Sequence, residues 1–435
     1  MKKKFETIYA LSTPPGKSAI AQIRVSGSLA FNTIKSISKN MPLESNIATF
    51  NELFTESGEI LDQTITTYFK APKSFTGEDM VEITTHGSNA VIKEIYRILS
   101  KKQNTRIAEP GEFTRRAFEN NKLDLTQVEA IADIVNAQTE MQRKQAISNL
   151  SGFFFQSTKK IFADLKKTLA NTEAVIDFSE EDLPKNLTNE IKEQKENIIK
   201  DIKKLLNKSS SGMSIRNGFV ITILGQTNTG KSSFINNISD REVSIVTNQP
   251  GTTRDLIESA VDVDGYLLRF VDTAGIRKTN DIVEQMGVKK AYSSSEDSAL
   301  NLVFIENNQD KTKFKNIKNK IFVKSKQDIY GGVFKYKDYY NISSKTNFGI
   351  KDLLNKIKEL VSEKTLNENT FISRERHIKC LITTINFLEM SKKEKTIDLC
   401  AEDIRLALKT LSSLFGNVDI EDILGIIFSD FCIGK

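Results

Sequence analysis

Gly225-Gln226-Thr227-Asn228-Thr229-Gly230-Lys231-Ser232 spells the phosphate-cradling pattern G-x-x-x-x-G-K-S/T. It follows the apolar run GFVITIL and precedes SSFINNIS, so a strand should deliver the loop and a helix should leave it. In that setting the backbone N–H groups of Asn228, Thr229, Gly230 and Ser233 surround phosphates, Lys231 reaches the outer two, and Ser232 ligates Mg²⁺. Asp272-Thr273-Ala274-Gly275 ends the next strong strand and supplies a Mg²⁺-facing carboxylate and a γ-phosphate-sensing glycine. Between the two, after Thr247-Asn248-Gln249-Pro250, lies Gly251-Thr252-Thr253-Arg254-Asp255, which supplies a hydroxyl for Mg²⁺ that closes only when a γ-phosphate is present. Ser325-Lys326-Gln327-Asp328 follows the strand KIFV. A carboxylate there accepts two hydrogen bonds from the guanine edge, whereas adenine offers no matching pair of donors. Ser343-Ser344-Lys345 would complete the base pocket. The expected nucleotide is GTP.

Two positions depart from this plan. The base motif of such proteins usually begins with Asn, and here it begins with Ser325. The shorter side chain is expected to give up a bond to guanine or to the phosphate loop, worth roughly 0.5–1.5 kcal/mol, and to weaken nucleotide affinity. The water-orienting glutamine of Ras-like enzymes is replaced by Ile276, which can orient nothing. Charge spreading over the phosphates still needs a cation. Asn228, with carbonyls from residues 247–252, could hold a monovalent ion there, and Glu284 is then the candidate to position water.

The elements that position these groups fall into blocks along 435 residues. Residues 1–120 mix strand-like runs (ETIYALS, AIAQIRVSG, TITTYFKAP, DMVEITTHG) with the helical SNAVIKEIYRILSKK, as in a small α+β domain. From 121 to 217 apolar residues recur at three- and four-residue spacing, as in amphipathic helices, with SSSG at 209–212 expected as a flexible joint. Residues 218–365 alternate strands (GFVITILG, YLLRFVDT, LNLVFIEN, KIFVKSKQD) with helices, which predicts a parallel α/β sheet. Residues 366–435 are helical again, in RHIKCLITTINFLEMSKK, AEDIRLALKTLSSLFG and IEDILGIIFSDF. The economical arrangement is one helical domain built from both flanks with the α/β domain inserted in it.

Composition narrows the setting. A net charge of +6 is too mild to demand nucleic acid by itself, and the lysine-rich stretch 310–320 reads as a solvated face. Three cysteines, Cys380, Cys400 and Cys432, make no disulfide framework and fit a reducing compartment. His86 and His377 lie too far apart for zinc spacing. With no apolar run long enough for a membrane span, a cytoplasmic protein is expected. Cys380 and Cys400 sit on helical faces and read as core; His86 reads as structural; His377, in Arg374-Glu375-Arg376-His377, belongs to a basic cluster that meets RNA or nothing.

Taken together, ETIYALSTPPGKSAIAQIRVSG, SFTGEDMVEITTHG, PGEFTRRAFENNKLDLTQVEAIADIV and the terminal Cys432-Ile433-Gly434-Lys435, with the guanine motifs between them, resemble the bacterial and organellar tRNA modification GTPases called MnmE or TrmE. The resemblance runs over essentially the whole chain. It implies an N-terminal domain that binds a tetrahydrofolate derivative (5-formyl- or methylene-tetrahydrofolate) and makes a homodimer. It also implies G domains that approach each other with K⁺ and GTP, and an FAD-dependent partner, MnmG or GidA, completing a heterotetramer. Together these would add an aminomethyl or carboxymethylaminomethyl group to the 5-carbon of wobble uridine in tRNA. By the same resemblance, folate contacts fall on Arg24, Glu82, Lys122 and Lys435. K⁺ contacts fall on Asn228, Thr247, Gln249 and Thr252, Mg²⁺ on Ser232 and Thr253, the catalytic acid on Glu284, and Cys432 near the one-carbon unit. A GTP-regulated ribosome-assembly or RNA-binding factor shares the phosphate loop, though no G-x-x-G clamp is visible; a P-loop kinase or ATPase conflicts with the guanine motif.

Overall fold

The structure, a computed structural model, describes residues 6–42, 44–178, 186–207, 209–239, 244–245, 257–272, 298–306, 308–330, 339–363, 365, 372–416, 431 and 434. Contacts divide the chain into two compact units, 1–132 with 412–435, and 133–411.

The first unit is a six-stranded sheet with helices. Strands β1 (Thr7–Leu11), β2 (Ser18–Ser26), β3 (Ala48–Phe54), β4 (Ile60–Phe69), β5 (Met80–Gly87) and β6 (Thr105–Ile107) line up in the order β3-β4-β5-β2-β1-β6. The pairings are antiparallel except for β1 with β6. Period-two alternation sorts the side chains to two faces. Tyr9, Ile23, Val25, Val81 and Ile83 form a core with α1 (Ala30–Lys35) and α2 (Asn89–Ser100). Ile8 and Ala10, on the opposite face, pack with Phe113 of α3 (Glu112–Glu119). The sequence reading recovers β1, β2, β4 and β5 but passes over β3 and β6, since β3 is half-exposed and β6 has only three residues. Helix α4 (Leu125–Asn136) buries Leu125 and Val128 against Phe431.

In the second unit, α5 (Glu140–Leu150), α6 (Phe153–Asp177), α7 (Leu187–Leu206) and α8 (Ser209–Asn217) precede the α/β block. The residues expected as a flexible joint are therefore the first turn of α8. Ser209 Oγ donates to the Leu206 carbonyl, the Gly212 carbonyl accepts from Gln145, and Ile215 is buried, so local bonds and one apolar anchor override the Ser/Gly composition.

The α/β block comprises β7 (Phe219–Gly225), α9 (Lys231–Ser239), β8 (Ser244–Ile245), β9 (Ile257–Val263), β10 (Tyr266–Asp272), β11 (Leu300–Phe304), β12 (Lys320–Lys324), α10 (Gln327–Tyr330), β13 (Tyr339–Asn341) and α11 (Ile350–Glu363). Its sheet runs β13-β12-β11-β7-β10-β9-β8. The five strands from β13 to β10 are parallel as expected, but β9 and β8 are antiparallel, so the sheet is mixed. The hairpin β9–β10 turns at Asp264-Gly265, both with positive φ, a dipeptide suited to such turns. Ile221, Ile223, Leu268, Phe270 and Leu302 of the sheet pack with Phe234 of α9 and Ile357 of α11.

Helices α12 (Glu375–Ser391) and α13 (Ile397–Ser412) follow the block and return to the earlier ones. Lys195 of α7 is buried, and its Nζ donates to the Ser391 carbonyl (3.1 Å) and to Cys400 Sγ (3.3 Å). Helices from both flanks thus share one packing layer, which is the arrangement expected of an insertion. Cys380 and Cys400 are buried, in keeping with a core role. His377 is also buried and stacks on Phe154 with ring centroids 4.7 Å apart, while Arg374 binds Asp133 (2.7 Å), so neither is offered to RNA. The helix expected over 420–431 lies, apart from Phe431, outside the described residues. No described helix is long and apolar enough to cross a membrane.

Candidate functional sites

The nucleotide motif is delivered as its sequence predicts. β7 ends at Gly225 and α9 begins at Lys231. The intervening loop turns through Gly225 (φ 144°), Asn228 (φ 62°) and Gly230 (φ 88°), the left-handed region that glycine tolerates best. Gly225 also lies where a Cβ would meet the Phe304 carbonyl at 2.4 Å, so β11 holds the loop's base tightly. Lys231 is buried, and its Nζ donates to the carbonyls of Gly225 (2.8 Å) and Gln226 (2.5 Å). The ammonium group is thereby held under the loop whose N–H groups would face phosphate.

At the start of α9, Ser232 Oγ approaches Asp272 Oδ2 at 3.4 Å. Asp272 is almost fully buried at the end of β10. A hydroxyl and a carboxylate converging at a helix N-terminus are hard oxygen donors, which is the donor set Mg²⁺ prefers alongside phosphate oxygens.

At Ser325 one of the two expected losses, that of the bond to the phosphate loop, does not occur. Its Oγ donates to the Thr229 carbonyl at 2.5 Å, so the bond from the base motif to the phosphate loop is kept despite the shorter side chain. The reason is close approach: a Cβ on Gly230 would stand 2.6 Å from Ser325 Oγ, so loop and base motif lie within reach of a short side chain. Lys326 Nζ adds a bond to the Asn228 carbonyl (2.6 Å). Asp328 is exposed, and its Oδ1 accepts from the buried Ser343 Oγ (2.6 Å). That bond, with the charge of Lys345, holds the Asp328 carboxyl below its ordinary value. Gln327 N–H donates to the Ile342 carbonyl and Ser344 O accepts from Asn237, which ties the two base-pocket segments together and to α9. Residues 247–253, 273–275 and Glu284 lie outside the described residues.

A second cluster lies on the first unit's sheet. Arg24 of β2 and Glu82 of β5 are direct cross-strand partners, and Arg24 Nε donates to Glu82 Oε1 at 2.8 Å. Gln22, two residues earlier on the same face, donates to Glu82 Oε2 at 2.5 Å. The Arg24 guanidinium lies 5.4 Å from the ring centre of Phe75 and 5.8 Å from that of Phe113. Glu82 is therefore fixed by two donors with lone-pair capacity to spare, while Arg24 is occupied by Glu82 and two rings.

Lys122 follows α3, and its Nζ donates to the Pro72 carbonyl (3.0 Å); Asn120 donates to the Thr76 carbonyl (2.7 Å). These bonds pin the segment that carries Phe75. Cys432 and Lys435 lie outside the described residues, but their neighbours are placed: Phe431 is buried with Leu125 and Val128. Gly434 (φ 101°) sits where a Cβ would meet the Leu11 carbonyl at 2.2 Å. Leu11 pairs with Ile23, the residue between Gln22 and Arg24. The described part of the C-terminal tail thus ends against β1, the neighbour of the strand that carries Arg24 and Gln22.

Residues 7–122 match the family described as GTP-binding protein TrmE N-terminus, and 125–432 match the MnmE helical domain. Three relatives carry the name tRNA modification GTPase MnmE. That of Pelagibacter ubique is 40% identical over 99% of this chain and 100% of its own length. That of Ehrlichia chaffeensis is 39% identical and that of Dinoroseobacter shibae 36%, with the same coverage. The chain belongs to the MnmE/TrmE family. As an MnmE/TrmE member it is a GTP hydrolase acting in tRNA modification, with an N-terminal α+β domain, an all-α helical domain and an inserted P-loop G domain of the α/β class.

Several members of the two clusters carry no motif. Gln22, Phe75 and Phe113 reach Arg24 or Glu82 only through the tertiary fold; the one local signal is the i, i+2 spacing of Gln22 and Arg24, which places both on one face of β2. Arg116 is another. It is nearly buried, binds Glu78 (2.9 Å) and Glu112 (2.9 Å), and Glu112 is shared with Arg106 (2.6 Å). Burial pushes the Glu112 carboxyl up, but bonds from Arg106, the Glu109 N–H and Arg116 outweigh it and hold it below its ordinary value.

Proposed function

We propose that this tRNA modification GTPase takes a one-carbon unit from a tetrahydrofolate derivative bound on the first unit, and that K⁺ stimulates its GTP hydrolysis. It then works as a homodimer with an FAD-dependent subunit of the MnmG/GidA type to build the aminomethyl-type group on C5 of wobble uridine. The observation that carries this reading is Glu82, a carboxylate held by Arg24 and Gln22 on the sheet whose strand β1 meets the described end of the C-terminal tail. An amino-amide edge such as a pterin's presents two adjacent donors, and a carboxylate held still by other donors is the matching acceptor. Arg24 then acts as the residue that positions Glu82. Lys122 and Lys435 are left to meet the carboxylates of the folate tail, and Cys432 to stand near the one-carbon unit. The folate derivative, when bound, supplies the carbon that is transferred.

At the nucleotide site, Ser232 and Thr253 would hold Mg²⁺, and Asn228, Thr247, Gln249 and Thr252 would hold K⁺. Asn228 supports this assignment: its backbone is left-handed, its carbonyl is engaged by Lys326, and its exposed side chain remains at the loop's crest. A fixed cation there supplies charge that Ile276 cannot, and Glu284 orients the attacking water.

Titration of the full chain with 5-formyl-tetrahydrofolate tests the central claim, with saturable binding expected and its loss in Glu82→Ala. Nucleoside analysis of tRNA from cells lacking the protein should show the wobble modification missing. Hydrolysis in KCl should exceed that in NaCl, and Asn228→Ala should remove the difference while binding GTP. Absence of folate binding, or equal rates in the two salts, would defeat the corresponding half of the proposal.

A further inference from the structure

A groove of about 390 Å³ opens between α7 and the end of α12, and positive charge converges on it. Lys200, Lys203, Lys204 and Asn207 line it from α7 and Lys392 from the residue that ends α12. Spacings of three and four residues from Lys200 place the α7 lysines on one face, over about 6 Å of helix. Two carboxylates, Glu196 and Glu389, also line the groove, so ammonium groups outnumber them four to two.

The local ion pairs leave that excess in place. Glu389 is shared between Lys392 at 3.4 Å and Lys203 at 3.9 Å, and Lys204 meets Asp201 at 2.8 Å. Lys200 has no ion pair among the described residues. The side chains of Lys203 and Lys204 are 60% and 63% exposed, and pairs in such settings are weak and readily exchanged. Basic residues in the last turn of α7 suit its dipole, which accounts for Lys203 and Lys204 singly. It does not account for Lys200, which lies one turn from Glu196 on one side and from Lys204 on the other, nor for Lys392 arriving from another helix.

We infer that this groove binds the phosphate backbone of the tRNA substrate; the inference rests on the family's role in tRNA modification. Lysine ammonium groups are compact point charges that contact phosphate without reading bases, as shape-based recognition of folded RNA requires. Lys200 to Lys204 covers about 6 Å of helix, and Lys392 faces that row from the other wall, so the set meets more than one phosphate of a strand. The buried Lys195 below, bonded to the Ser391 carbonyl, ties α7 to the end of α12 and so sets the spacing between the two walls.

The test uses the full-length chain and an unmodified tRNA transcript with uridine at the wobble position. Combining Lys200→Gln, Lys203→Gln and Lys204→Gln should weaken tRNA binding about tenfold or more near 0.1 M KCl. It should also make the slope of log affinity against log salt shallower by about 2, while GTP hydrolysis without tRNA stays unchanged. The matching Lys→Arg triple should bind like the wild type. Lys313→Gln, Lys315→Gln and Lys318→Gln together, on the lysine-rich G-domain stretch, should leave the slope as it was. An unchanged affinity and slope in the groove triple would overturn the proposal, as would an equal loss in the G-domain triple. Loss of binding to the FAD-dependent subunit with tRNA affinity intact would make the groove a protein contact and also overturn it. A wild-type chain that bound no tRNA at any salt, alone or with that subunit, would instead overturn the wider tRNA reading.

Discussion

The nucleotide loop and the Arg24–Glu82 cluster sit on sheets of similar size but are made of different material. The loop is built from backbone: three positive-φ residues, a lysine tied to carbonyls, and Ser325 pressed against Thr229. The cluster is built from side chains that strand register brings opposite each other, each charge already answered by a neighbour. A backbone site fails when its shape changes, whatever the charge. A side-chain site fails when one partner is removed and another is left buried without a bond.

The largest expected effect is therefore steric. Gly230→Ala places a Cβ 2.6 Å from Ser325 Oγ at a φ of 88°, so the loop must move. Affinity for a fluorescent GTP analogue should fall by about 100-fold or more, judged as roughly 3 kcal/mol of loop distortion. Gly58→Ala is the sharpening control: its φ of 84° is similar, but nothing lies within 4 Å of its Cβ. If both variants bound nucleotide equally well, crowding at Ser325 would not be what shapes the loop.

The next effect belongs to the cluster. Glu82→Gln keeps the shape but removes the charge that answers Arg24. At about 1.5–3 kcal/mol for a charged hydrogen bond, 5-formyl-tetrahydrofolate affinity should drop roughly 10- to 100-fold, with GTP binding unaffected. A parallel loss of GTP affinity would show that the two regions are not independent.

What the sequence revealed follows the same division. The phosphate loop was legible because backbone chemistry demands fixed residues at fixed spacing, and Gly225, Gly230 and Lys231 occur where that spacing requires. Arg24 and Glu82 came from resemblance alone, since they are 58 residues apart and only β2–β5 register joins them. Gln22, Phe75 and Phe113 were not legible, because nothing local distinguishes a cluster glutamine or phenylalanine from an ordinary one. The joint at 209–212 was misread for the converse reason: composition suggested flexibility, and a tertiary anchor at Ile215 decided otherwise. The reversed strand β9, and the short β8 paired to it, escaped because periodicity reports burial and not direction.

Ser325→Ala should have a smaller effect. It removes the bond to the Thr229 carbonyl but no charge and little volume, so about 1 kcal/mol, or fivefold in GTP affinity, is expected by equilibrium titration. An unchanged affinity would mean that close packing of Gly230 on Ser325, and not the bond, maintains the loop.

The smallest expected effect separates the regions by pH. Glu112 is held below its ordinary value of 4.5 by Arg106, the Glu109 N–H and Arg116, against a burial effect that raises it. A carboxyl depressed in the folded state releases its proton more readily there than in the unfolded chain. It therefore contributes stability above about pH 4.5, and that contribution is lost as pH falls from there through the lower folded value. The first unit relies on such pre-paired side chains, since Glu112 joins Arg116, and Arg116 joins Glu78 and through it Ser26 of β2. The phosphate loop relies on backbone bonds that do not titrate, and Asp328, the carboxylate expected to take the base, starts from a lower ordinary value of 3.8 and is held below it. Folate binding should accordingly fade at a higher pH than GTP binding as both are followed downward from pH 6. Glu112→Gln should lower the melting temperature at neutral pH and flatten its acid limb, because the variant has no proton to take up at that position. A variant whose melting curve ran parallel to the wild type from pH 6 to pH 3 would mean that Glu112 is protonated in both states together, and that acid does not tell the two kinds of site apart.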